Sequence, residues 1–126
     1  MLQQLKENIE KFSPYNEQEE VEKRIMLKYI NDFDNVLTRQ NEYGHFTSSA
    51  FILNKERTKM LMIYHKIYKS WAWTGGHSDG DSDLLHVAMK EAKEETGIKN
   101  VTPISKDIYS LEIITVNGHE KRGKYV

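Results

Sequence analysis

The chain falls into stretches of different hydrophobic period. Residues 1 to about 43 read as helical and charged. In "SPYNEQEEVEKRIMLKYINDF", Asn16 followed by Glu19 makes a capping box that starts a helix. Val21, Ile25, Tyr29, Ile30 and Phe33 then recur at helical spacing and form one apolar stripe. Such a stripe must pack on the chain's own core or on a twin subunit. "TRQNEYGHF", with Gly44, breaks the pattern. "FTSSAFILN" and "TKMLMIYHKI" read as two strands, and the polar "NKERT" between them predicts a hairpin. "SWAWTGG" is a short extended segment. Trp71 and Trp73 alternate there with small residues, so both rings are expected on one face. A helix from Leu84 follows. "PISKDIYSLEIITVNGHEKRGKYV" then predicts a long strand that turns at Asn117-Gly118. The chain has no internal repeat and no low-complexity segment.

Composition narrows the class. With 126 residues, the chain suits one small domain or a core plus an extension, here a helical extension over 1–43 and a domain over 44–126. Apolar residues make up 38% and charged ones 29%, a globular balance rather than a disordered one. A net charge of -1 argues against stable nucleic-acid binding, which usually needs a basic face. Cysteine is absent, which suits a reducing cytoplasm and excludes a disulfide framework or a thiol nucleophile. No apolar run approaches the roughly 20 residues that span a bilayer, so no membrane partner is expected. "MLQQLKENIEKF" lacks the build of a signal peptide.

The helix after the second Trp carries the candidate chemistry. Advancing about 100° per residue from Leu84, Leu85, Val87, Ala88 and Ala92 share one arc, with Met89 at its edge. His86, Lys90 and Lys93 lie opposite. Glu91 and Glu95 project from the middle of the apolar arc, and Glu94 sits at its border. Like charges four residues apart repel, and burial without a partner costs several kcal/mol. Something positive is therefore expected to face them. A divalent cation fits, because Mg²⁺ prefers carboxylate oxygens. A lysine or arginine from elsewhere is an alternative, as is a solvated, salt-bridged helix face. Asp81, Ser82 or Asp83 can cap the start of the helix, and Gly97 suits its left-handed end. Gly75 and Gly76 permit close backbone approach to a ligand, or simply a turn.

The stretch Gly76–Ile98 resembles the Nudix box, G-x5-E-x7-R-E-U-x-E-E-x-G-U with U aliphatic. Gly76 matches the first glycine. Glu91, Glu94 and Glu95 match the three glutamates of the R-E-U-x-E-E run. Ala92, Gly97 and Ile98 match the remaining fixed positions. Ser82 stands where the family has a glutamate, and Lys90 where it has arginine, so the usual acid–base brace of the loop is altered. Asp81 and Asp83 flank Ser82 as substitutes.

The resemblance implies an α/β (α+β) fold with a mixed β-sheet sandwiched between helices. It implies a Mg²⁺- or Mn²⁺-dependent hydrolase of a nucleoside diphosphate derivative. Glu91 and Glu95 would be the main metal ligands, Glu94 a further ligand or a positioner of water, and the Gly75 carbonyl would complete the site. Gly76, His77 and Trp73 are the substrate-binding candidates. Packing for the tryptophans and an ordinary loop position for His77 are the plainer alternatives. Lys90 and Lys93 are expected to be solvated. Glu112 is a weaker candidate for an extra carboxylate.

Family members continue with more strands and a closing helix, so residues 99–126 are expected to leave the fold truncated or completed by another chain, as in a homodimer. Three other functions compete with hydrolysis. One is a nucleotide- or partner-binding module without turnover. Another is a scaffold built on the N-terminal helices. The third, the related isoprenoid diphosphate isomerase chemistry, depends on a cysteine that this chain lacks.

Overall fold

The computed structural model describes residues 2–114, 120–121 and 124–125. The chain is α+β. Helices α1 (Gln3–Lys11) and α2 (Glu17–Asp32) come first. Six short strands follow: β1 (Thr47–Ala50), β2 (Ile52–Leu53), β3 (Met60–Leu61), β4 (Ile63–His65), β5 (Ser70–Ala72) and β6 (Thr74–His77). Helix α3 (Leu84–Thr96) and strands β7 (Glu120–Lys121) and β8 (Lys124–Tyr125) complete the order. Among the described residues no helix is long and apolar enough to cross a membrane.

The capping box forms. Asn16 Oδ1 accepts from the Glu19 N–H at 2.9 Å, and Glu19 Oε1 accepts from the Tyr15 N–H at 2.7 Å. The expected apolar stripe does not pack as one surface. Ile30 is buried together with Met26, but Val21, Ile25 and Phe33 are exposed. The reason is the direction from which α1 arrives. Leu5 and Ile9 meet Met26 and Ile30, and Lys23 Nζ ties α2 to the Glu10 and Phe12 carbonyls at 2.9 and 2.7 Å.

Helix does not continue to residue 43. α2 ends at Asp32, with Phe33 extended, and residues 34–43 run through turns. Here side chains outcompete the helical ladder. Buried Asn41 accepts from the Tyr29 hydroxyl at 2.7 Å and from the Tyr43 and Gly44 N–H groups, and it donates to Asn35. The core cluster joins Leu5, Ile9, Met26, Ile30, Val36 and Leu37. Phe46, Leu84, Ile108 and Leu111 pack against it, so the core draws on both sides of residue 43.

The predicted hairpin is present, with Ile52 opposite Leu61 and Leu53 opposite Met60. Asn54 closes its turn by accepting from the Thr58 and Lys59 N–H groups. β4 pairs with β5, placing Tyr64 opposite Trp71, and β1 pairs with β6, placing Ser49 opposite Gly75. Each of these three stretches of chain thus changes partner midway, at Phe51, Met62 and Trp73. Every pairing among the described residues is antiparallel.

The long strand predicted after α3 is not formed over 103–114. That stretch spends its polar groups elsewhere: Ser110 Oγ and the Leu111 N–H both donate to Glu19 Oε2, at 2.9 and 3.4 Å. Ile108 and Leu111 pack on the core while Ile104, Ile113 and Ile114 stay exposed. The Asn117-Gly118 turn lies outside the described residues.

Candidate functional site

Helix α3 is fixed at both ends. Asp83 caps its start by accepting from the His86 N–H at 3.1 Å. Gly97 ends it in the left-handed conformation, φ 76°, with its N–H bonded to the Lys93 carbonyl. Val87, Ala88 and Ala92 are buried and set the rotation of the helix. Ser48 Oγ donates to the Leu84 carbonyl at 2.6 Å and joins α3 to β1. The preceding loop is braced by Asp81, which accepts from the Asp83 N–H and pairs with His86 Nδ1, both at 2.9 Å. Those contacts hold the Asp81 carboxyl below its ordinary value, the His86 bond most of all. Asp81, not Ser82 or Lys90, therefore carries the loop brace.

This rotation turns Glu91 and Glu95 toward β6. Glu95 Oε1 accepts from the Gly75 N–H at 3.0 Å. Glu91 lies so close to Gly76 that a Cβ there would sit 2.5 Å from its carboxyl carbon. At Gly75 a Cβ would run into the Ser49 hydroxyl. The two glycines thus admit α3 and β1 to the strand between them, a structural need beside any ligand approach. Glu94 points away. It is exposed and only loosely paired with Lys90, at 3.9 Å. Lys90 and Lys93 are exposed, as expected.

A cleft of about 350 Å³ opens over this face. β6 contributes Gly75, Gly76 and His77 to its lining, and α3 contributes Glu91 and Glu95. The β4–β5 hairpin adds His65, Ile67 and Tyr68. Arg39 and Asp79 line it too, as a two-pronged ion pair with N–O distances of 3.1 and 3.4 Å. His77 lies in strand β6 rather than a loop, with Nδ1 2.8 Å from His45 Nε2. Trp73 is not among the lining residues; its ring stands edge-on to Phe51 at 5.3 Å. Glu112 is exposed and also does not line the cleft.

Among the described residues, no cationic side chain lies within ion-pair range of Glu91 or Glu95. The Glu91 carboxyl is pushed above its ordinary value, first by burial, then by repulsion from Glu94 and Glu95; Lys90 offsets this in part, and Asp79 adds to it. Among the described residues the acids therefore form a negative pole that Lys90 offsets only in part. No group of three or more metal-ligating side chains occurs among the described residues. The donor set is two carboxylates. That still fits a hard cation, since Mg²⁺ is commonly held by one or two carboxylates while its other positions take water and phosphate.

No family model matches the chain, and no curated protein matches it. The Nudix resemblance therefore rests on the spacing of residues within Gly76–Ile98 alone.

Arg39, Asp79, His65, Ile67 and Tyr68 carry no local motif. Arg39 and Asp79 meet across 40 positions of sequence. The one local hint was Asp79-Gly80, a polar pair before a helix start, and it forms a turn with both φ angles positive, 47° and 91°.

Proposed function

We propose that the cleft binds a divalent cation, Mg²⁺ or Mn²⁺, between Glu91 and Glu95, and hydrolyses the diphosphate linkage of a nucleoside diphosphate derivative on a Nudix-type fold. One observation carries this reading: two carboxylates line one cleft, and among the described residues no cationic side chain pairs with either. The spacing of the box supports it. A bound divalent cation would neutralise charge on the phosphate oxygens and lower the pKa of a bound water.

The chain's own residues have separable tasks. The attacking water gives its proton to a carboxylate of the cleft, Glu91 or Glu95. The water oxygen bonds to phosphorus as the bridging P–O bond breaks, and the departing phosphate takes the electron pair. The Gly75 N–H fixes the Glu95 carboxylate. Glu94, outside the cleft, acts through its charge on Glu91. Arg39, its fork held by Asp79, brings positive charge to the wall beside the phosphate oxygens. His65, Ile67 and Tyr68 give the other wall an aromatic and apolar surface suited to a flat base.

A binding module without turnover is the second reading. The placement of Glu94 outside the cleft favours it, as do Ser82 and Lys90 at altered box positions.

Calorimetric titration of Mg²⁺ and Mn²⁺ into the wild type and a Glu91→Gln, Glu95→Gln double variant, followed by a phosphate-release assay on a panel of nucleoside diphosphate derivatives, decides between them. The hydrolase reading expects binding that the variant loses, and turnover reduced by about 10²-fold or more. Carboxylate-dependent binding with no turnover of any panel member supports the binding module. Binding that persists in the variant would sink both.

A further inference from the structure

The strands between Thr47 and His77 have two apolar faces, and among the described residues only one is covered. On the inner face Ile52, Leu61, Ile63 and Ala72 are half-buried and Thr74 is fully buried. Helix α3 packs on this side, against β1 and β6. The alternate positions point the other way. On the first stretch these are Phe51 and Leu53; on the second, Met60, Met62 and Tyr64; on the third, Trp71 and Trp73. All seven are between 39% and 65% exposed. The pairing confirms that they share a face: Leu53 lies opposite Met60 and Tyr64 opposite Trp71. Ring contacts knit them together, Tyr64 to Trp71 at 5.5 Å and Phe51 to Trp73 at 5.3 Å, and Tyr109 extends the surface from Phe51 at 5.8 Å.

We propose that this face is the contact surface of a symmetric homodimer. Its composition suits a surface that meets itself. A two-fold axis sets a patch against its own copy, so any charge near the axis would face its like. None of the seven positions is charged. Aromatic residues and Met at the centre, with charge confined to the rim, is the composition of interface cores. Here Lys55, Arg57, Lys66 and Lys69 sit in the turns at the ends.

The size agrees as well. With aromatic side chains presenting roughly 150–250 Å² each, the exposed fractions leave on the order of 700 Å² uncovered. A standard interface takes about 800 Å² from each partner. The sequence points the same way, since "AFIL" and "MLMIY" are unbroken apolar runs of the kind found in strands covered on both faces. The net charge of -1 puts little repulsion in the way of self-association.

Sedimentation equilibrium of the full chain from about 1 to 100 µM reads the outcome directly. The expected result is twice the mass of one chain. Trp71→Lys and, separately, Met62→Lys should return the mass to that of one chain with the far-UV circular dichroism unchanged. Ile25→Lys, on the exposed side of α2, should leave the dimer intact. A wild type that stays at single-chain mass throughout overturns the proposal, as does a dimer indifferent to both face variants or broken equally by Ile25→Lys. A monomer that uses Trp71 to bind phosphatidylcholine vesicles or a single-stranded oligonucleotide gives the face another occupant and overturns it too.

Discussion

Glu91 is where stability and the proposed chemistry pull apart. Its folded pKa is raised, so the protonated form is the one the fold prefers. The stability linked to it is complete below the ordinary value of 4.5 and is lost as pH rises through the folded value. At neutral pH the ionised side chain is thus a small liability to the metal-free protein. Glu91→Gln is expected to melt about 1–3 °C higher than wild type at pH 7 without metal, a modest gain because solvent still screens the carboxylate. The difference should disappear as the pH is lowered below 4.5. Thermal melts across that range check it, and a variant that melts lower at pH 7 would mean Glu91 has a stabilising partner. Much at this scale was legible in the sequence. The angular position of Glu91 and Glu95 foretold their direction, and Gly97 its left-handed end. Arg39 and His65 were not legible, because only tertiary contact gives them a place in the cleft.

At the scale of elements, the sequence marked where helices begin better than where they end. Asn16 and Asp83 cap by local hydrogen bonds, and local chemistry is what a short window of sequence contains. The end of α2 was missed because Asn41 organises its turn from nine residues beyond the last helical one, through Tyr29 and Asn35. The strand expected after α3 was missed for a similar reason. Its alternating residues suit a strand, but the backbone is bound by a carboxylate on α2.

Glu19 holds that junction. Its carboxyl is lowered, first by the Tyr15 N–H, with Ser110 and the Leu111 N–H adding to the effect against the partial loss of solvent that raises it. The linked stability is therefore present above 4.5 and lost as pH falls through the lower folded value. Glu19→Gln should speed amide exchange at Tyr15 and Leu111 several-fold at neutral pH, and wild type should approach the variant in acid. Equal exchange in the two proteins at neutral pH would show that the carboxylate does not hold the segment.

Across the whole molecule, the periodicity placed two helices' worth of chain ahead of the first strands but overran the end of α2, and it gave no sign that the two parts share one core. Leu5 and Ile9 find their partners through α2, and that cluster reaches Leu84 and Leu111. Only the folded chain brings such distant positions together. The same long-range closure governs the cleft. Its floor loop is fastened to the segment after α2 twice, by Arg39 to Asp79 and by the Gly80 N–H to the Leu37 carbonyl at 2.9 Å.

A ligand seated in the cleft would therefore act as a clasp on the first third of the chain. It need touch neither α1 nor α2 to do so. Binding that favours the closed loop must, by mass action, oppose the opening of everything the loop fastens. Saturating Mg²⁺ or Mn²⁺ should accordingly slow hydrogen exchange in α1 and α2, and slowing confined to α3 would show that the fastening transmits nothing. If the clasp works, the amino-terminal helices would serve as a remote reporter of whether the cleft is filled.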